Sequence, residues 1–246
     1  MKRLLLSALL LPVAFAQSLT GLWDATVVSG GVTVPFRMEF ASEGTRVQAW
    51  FFNDTDKTPS TSGSFENGAL LVNFDHLAAK LQATWKDGRL EGVFLGKGRT
   101  GVLKFSAQPA AQKPVVTVSA LDISGEWELN QVRSGKGESA WRFLVRQSGP
   151  EVAATILRVD GDTGTLAGTY RDGKFVLSHF SGARAAVLEV EPRTDGSLSL
   201  TMKPNTHYTA VRPARARAQG LAGPTDPDSH TGVKNPSEPL DRKSVV

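Results

Sequence analysis

The residue types that could do chemistry are sparse in this chain and poorly spaced for it. None of the 246 residues is cysteine, so the chain holds no thiol for redox or nucleophilic chemistry. Its four histidines, His76, His179, His207 and His230, show no metal-ligand spacing. His179 sits between Ser178 and Phe180 on an alternating stretch, which suits a strand edge or rim. Asp75-His76 is the adjacent acid–imidazole pair, and its surroundings read as a loop. Asp160-x-Asp162-x-Gly164 opens like a calcium loop, but Arg171 stands where the bidentate glutamate is needed. It therefore reads as an acidic turn, as does Asn53-Asp54-Thr55-Asp56. Gly-x-Ser-x-Gly does not occur. These residues assign no catalytic, cofactor-binding or metal site, and they call for no cofactor.

The aromatic residues speak to structure. Thr20-Gly21-Leu22-Trp23 returns as Ser124-Gly125-Glu126-Trp127, and Gly63-Ser64-Phe65 returns as Gly168-Thr169-Tyr170. The chain therefore reads as two versions of one module. A Gly-x-Trp near the first strand suits an indole plugging one end of a small barrel, and it also occurs in lipocalins, which carry apolar ligands. Trp50, Phe51 and Phe52 would line such a pocket or pack in an ordinary core.

The elements that position these residues are strands. Val34, Phe36, Met38 and Phe40 alternate with Arg37 and Glu39, the period of a sheet with one buried face. Further strands are expected at Val47–Phe52, Ser62–Glu66, Ala69–Phe74, Lys80–Trp85, Arg89–Leu95 and Val102–Ser106. The second module repeats the series at Trp141–Arg146, Val152–Val159, Thr165–Arg171, Lys174–His179, Arg184–Glu191, Ser197–Lys203 and His207–Arg212. Asn67-Gly68, Asp87-Gly88, Asp172-Gly173 and Asp195-Gly196 are tight-turn pairs. Asn53 to Thr61, with Pro59, reads as a polar loop. The pattern predicts an all-β chain of two tandem antiparallel up-and-down barrels, lipocalin- or calycin-like, at residues 17–107 and 121–213. About 90 residues per module is enough to bury a core without staples.

Between the modules, residues 108–120 carry Pro109 and Pro114 and read as a linker, which predicts modules that melt independently. Residues 214–246 read as a mobile tail, with a short helical turn over Ala214 to Leu221 and four prolines between Gly223 and Pro239. At the other end, Lys2-Arg3, the apolar run Leu4 to Phe15 and Ala14-Phe15-Ala16 have the form of a signal peptide, residues 1–16, cleaved after Ala16. The run falls short of the roughly 20 residues that span a bilayer. Periplasmic or secreted localisation is the expectation. Cleavage leaves 26 basic against 24 acidic side chains, too even a balance for a nucleic-acid surface.

A resemblance adds to this reading. It rests on Gly137-Glu138-Ser139-Ala140-Trp141-Arg142-Phe143, Arg158-Val159-Asp160-Gly161-Asp162-Thr163-Gly164, Tyr170-Arg171-Asp172-Gly173-Lys174-Phe175, Ser178-His179-Phe180-Ser181-Gly182 and the tail His230-Thr231-Gly232-Val233-Lys234-Asn235-Pro236. With these residues the chain resembles the N-terminal region of exported TlpA-like thiol–disulfide oxidoreductases, the redoxin or alkyl-hydroperoxide-reductase-like proteins. In that family a thioredoxin fold carrying Cys-x-x-Cys follows, and its thiolate does the work. With no cysteine here, the resemblance implies an accessory half without its thioredoxin domain, and no catalytic residue carries over. It implies a thioredoxin-fold domain or another envelope protein as partner. A lipocalin-like carrier of a small apolar ligand, or an interaction or inhibitor barrel, is the alternative.

Overall fold

The computed structural model describes residues 19–97, 101–111, 120–130, 132 and 134–225. The expected signal peptide, most of the linker (112–119) and the end of the tail (226–246) lie outside the described residues. The first barrel comprises β1 (Gly21–Ser29), β2 (Val32–Glu43), β3 (Arg46–Asn53), β4 (Asp56–Pro59), β5 (Ser62–Glu66), β6 (Ala69–Phe74), β7 (Ala79–Lys86), β8 (Arg89–Leu95) and β9 (Val102–Pro109). The second comprises β10 (Gly125–Asn130), β11 (Ala140–Ser148), β12 (Glu151–Arg158), β13 (Gly161–Asp162), β14 (Leu166–Arg171), β15 (Lys174–Phe180), β16 (Ala185–Pro192), β17 (Leu198–Met202) and β18 (Thr206–Val211), followed by the helix α1 (Pro213–Ala218). In each, successive strands pair antiparallel and the last returns to the first. Two closed eight-stranded up-and-down barrels result, as the alternation predicts.

Each sheet has nine strand segments because one strand of each barrel is broken by a bulge. Trp50 pairs with Pro59, but Arg46 pairs with Ser64, so the β4–β5 strand carries one extra residue. Ser60 repairs the ladder there. Its hydroxyl accepts the Ala49 N–H at 2.9 Å, while its own N–H donates to Ala49 O at 2.7 Å. Thr163 does the same between β13 and β14, with Ile156 N–H at 3.0 Å and Ile156 O at 3.1 Å. The stretch Asn53 to Thr61 is thus partly strand rather than a polar loop, because a buried hydroxyl replaces the missing backbone partner.

The same device closes the starting end of both barrels. Trp23 Nε1 donates to Leu19 O at 2.8 Å, and Trp127 Nε1 donates to Ile123 O at 2.8 Å. Trp23 meets Phe40 and Trp85 edge-on at 5.7 and 5.6 Å. The Arg212 guanidinium lies 3.8 Å from the Trp127 ring. Between strands, Asn67-Gly68, Asp87-Gly88 and Asp172-Gly173 all hold positive φ, from 49° to 84°, the geometry of a two-residue type I′ turn. At barrel corners the requirement is for space: a Cβ on Gly168 would sit 1.9 Å from Val176 O.

Ordered structure extends past two of the boundaries read from the sequence. β9 continues through Gln108 to Pro109, which faces Trp23 in register. The helical turn expected over Ala214 to Leu221 is present as α1, with Ala216 fully buried against the barrel. Arg217 pairs with the buried Glu128, Arg215 with Asp195 at 3.1 Å, and Asn130 Nδ2 donates to Ala222 O at 3.1 Å. The Ser197 hydroxyl and backbone N–H, with Arg215 beside them, pull the Asp195 carboxyl down to about 2.

Candidate functional site

The two barrels do not stand apart. On β15 the residues Phe175, Leu177 and His179 point into the second barrel, so Phe180 falls on the outward face together with Val176 and Ser178. On β16 Ala186, Leu188 and Val190 point inward, leaving Ala185 and Val187 outward. This outward stripe packs into the core of the first barrel. Phe180 is fully buried there, its ring 4.3 Å from Phe36, 5.0 Å from Phe94 and 5.4 Å from Phe51.

Asn53, at the rim of the first barrel, fixes the backbone of the intruding residue. Its Nδ2 donates to Phe180 O at 2.8 Å, and Phe180 N donates to its Oδ1 at 2.9 Å. Gly182 follows at φ +76°, under Leu77; a Cβ would lie 2.7 Å from Leu77 Cδ1. The Ser178 hydroxyl donates to Pro35 O at 2.5 Å, and Arg146 pairs with Asp54. The expectation of independent modules is therefore corrected: a hairpin of the second barrel completes the core of the first.

The equivalent end of the second barrel closes itself. Trp141 and Tyr208 stand where the first barrel has Phe36 and Phe105, their rings 5.6 Å apart against 6.4 Å. Arg158 takes the place of Asn53, with its guanidinium 4.5 Å from the Trp141 ring. From residues 131–139, Val132 packs on the core, and Glu138 accepts Val159 N–H and the Ser134 hydroxyl, each at 2.7 Å. Burial works against the Glu138 charge, but these hydrogen bonds outweigh it and hold the carboxyl below its usual range. The corresponding connection in the first barrel is only Gly30-Gly31, which leaves its mouth free for Phe180.

Docking sets the outer wall of β2-β1-β9-β8 against that of β11-β12-β14-β15, and between them lies a cleft of about 970 Å³. The first wall presents a row of polar side chains. Arg37 and Asp24 pair at 3.5 Å, Asp24 is in register with Gln108, and Arg89 donates to Gln108 Oε1 at 2.6 Å. The facing wall has a floor of small residues, with Ala153 opposite Ala167 in register, bordered by Arg146, Glu151, Thr169 and Arg171. This cleft, lined by both barrels, is the candidate site. Domain interfaces are a common place for ligand sites of this size.

Of the residues weighed earlier, Phe52, Asn53 and Asp54 line this cleft, and the others lie elsewhere. His179 is buried at the rim of the second barrel, its Nδ1 2.9 Å from Thr165 O, and burial lowers its pKa. His207 is exposed beside Thr201, and His76 is exposed against the edge of Phe74; His230 lies outside the described residues. The Asp75 backbone N–H donates to Thr61 Oγ1 at 3.0 Å. Asp160 binds Lys136 at 2.9 Å, and Asp162 Oδ1 accepts Gly164 N–H at 2.7 Å, as an acidic turn does. Among the described residues, no three His, Asp or Glu side chains converge to hold a metal ion. Of the aromatic trio, Phe51 is core, while Trp50 and Phe52 lie outside under the Lys57 ammonium, at 4.4 and 5.3 Å. Neither the protein-family models nor the curated proteins compared with the chain gave a match.

Proposed function

We propose that this chain is a non-catalytic, exported binding module that works as the accessory half of a TlpA-like thiol–disulfide oxidoreductase system. On this reading the surface offered to a thioredoxin-fold partner is the cleft between the barrels. The observation that carries it is the Asn53–Phe180 lock, because it makes one pre-organised site from two walls that a linker alone would leave free to move. The absence of cysteine fits a role that leaves the thiol chemistry to the partner. A carrier of apolar ligands would need space inside a barrel. In the first barrel that interior is occupied by phenylalanine rings, Phe51, Phe74 and Phe94 among them, with Phe180 stoppering the mouth.

Titration of the purified chain with a TlpA-like thioredoxin-fold domain tests the proposal. Saturable binding is expected, with loss on Ala153→Trp, which fills the floor of the cleft. The chain alone should give no disulfide-reductase turnover. Turnover with scavenged thiols and metals excluded, or binding indifferent to Ala153→Trp, would contradict the reading.

A further inference from the structure

We infer that the cleft takes an extended peptide segment bearing two carboxylates four residues apart, with neutral residues between them. The inference rests on the cleft being the binding site and adds what it selects. The polar row on the first wall runs across four neighbouring strands, with Arg37 on β2 at one end and Arg89 on β8 at the other. Neighbouring strands lie about 4.8 Å apart, so the row is about 14 Å long measured from strand to strand along the barrel wall. In an extended peptide, residues i and i+4 point to the same side and stand about 13–14 Å apart. The two lengths agree.

Charge selects the same ligand. Among the described residues Arg89 donates to the neutral Gln108, and Arg37 meets Asp24 at 3.5 Å, longer than a tight charged hydrogen bond. Both guanidinium groups keep donors for a carboxylate. Asp24 lies between them, so an acid in the middle of the segment is repelled while neutral residues are accepted. The cleft holds two further acids, each near an arginine. Asp54 pairs with Arg146, and Glu151 lies diagonal to Arg171 on the adjacent strand. Across the cleft, Ala153 and Ala167 leave room for a backbone to approach.

The test uses the full chain and a fluorescein-labelled peptide Ser-Glu-Thr-Val-Thr-Glu-Ser, read by anisotropy at low salt. Its twin with both glutamates replaced by glutamine should bind about tenfold more weakly or worse. Arg89→Gln, an exposed change, should cut that preference to what Arg37 alone supplies. Moving the second glutamate to the middle of the peptide should weaken binding as well. If the glutamate and glutamine peptides bind alike and Ala153→Trp removes both, the acidic selectivity is wrong and the cleft stands. If no peptide binds, or binding survives Ala153→Trp, the cleft as a peptide site is wrong too.

Discussion

Asn53 and Phe180, 127 positions apart, hold each other by two hydrogen bonds of 2.8 and 2.9 Å in opposite directions. The amide side chain reads the backbone of the incoming residue as a neighbouring strand would. The backbone N–H and C=O of Phe180 both find partners in that exchange, so they can sit inside an aromatic core without the cost of being buried unpaired. This contact joins the two barrels.

The first prediction concerns that joint. Phe180→Ala should destabilise the chain by about 3–5 kcal/mol, as deletion of a buried ring does. Asn53→Ala should cost about 1–3 kcal/mol, because the Phe180 N–H and C=O stay buried without partners. The double variant should cost less than the sum, since the two residues contact each other. Urea unfolding of the four proteins measures all three quantities.

At the opposite end, the indoles carry the load. Trp23→Ala and Trp127→Ala should each cost about 3–5 kcal/mol, while Trp→Phe at either site gives up chiefly the bond to Leu19 O or Ile123 O, about 1 kcal/mol. Because Phe180 and Val187 belong to the core of the first barrel, either alanine variant should shift a shared transition in calorimetry. Two transitions, only one of them shifted, would show independent barrels.

The helix α1 should matter to stability although it is short. Arg217→Ala leaves the buried Glu128 carboxylate without its guanidinium, at a cost of about 1–3 kcal/mol. Glu128→Gln combined with Arg217→Ala should recover part of it. Chemical denaturation distinguishes this from a tail that merely lies on the surface, for which Arg217→Ala would be neutral.

Acid should loosen the protein through His179. Burial lowers its pKa in the folded chain, so the unfolded chain takes the proton first as pH falls. The corresponding stability is present above the ordinary histidine value of about 6.5 and is lost as pH falls from there through the folded value. The carboxylates with lowered pKa, Glu138, Glu189 and Asp195, act lower, as pH falls from about 4 toward their folded values. Urea midpoints between pH 7.5 and 5 should decline in the native chain and stay flatter in His179→Gln.

Much of the fold was legible before any coordinates. Val34, Phe36, Met38 and Phe40 alternate because a barrel wall has one dry face, and Asn67-Gly68 or Asp172-Gly173 can adopt left-handed φ where most pairs cannot. Trp23 and Trp127 announced the duplication. The bulges at Ser60 and Thr163 were not legible, because a hydroxyl that completes a ladder looks in sequence like any loop residue. Nor was the lock. Phe180 did leave a trace, since it breaks the phase of Phe175, Leu177 and His179, and Val187 breaks that of Leu188 and Val190. An apolar residue out of phase on a strand marks a second packed face, but alternation cannot say against what. The cleft arginines were hidden for a similar reason: Arg37, Arg89, Arg146 and Arg171 occupy outward positions that read as solvent, and only docking turns them toward one another.

The absence of cysteine makes the decisive measurement direct, because two spin labels can be placed without background. With Leu22→Cys and Ser148→Cys, both exposed and on opposite walls of the cleft, pulsed electron paramagnetic resonance reads the distance between the barrels. The account predicts a single narrow distance distribution for the otherwise native chain and a broad one when Phe180→Ala is added. A broad distribution in the chain that retains Phe180 would contradict it.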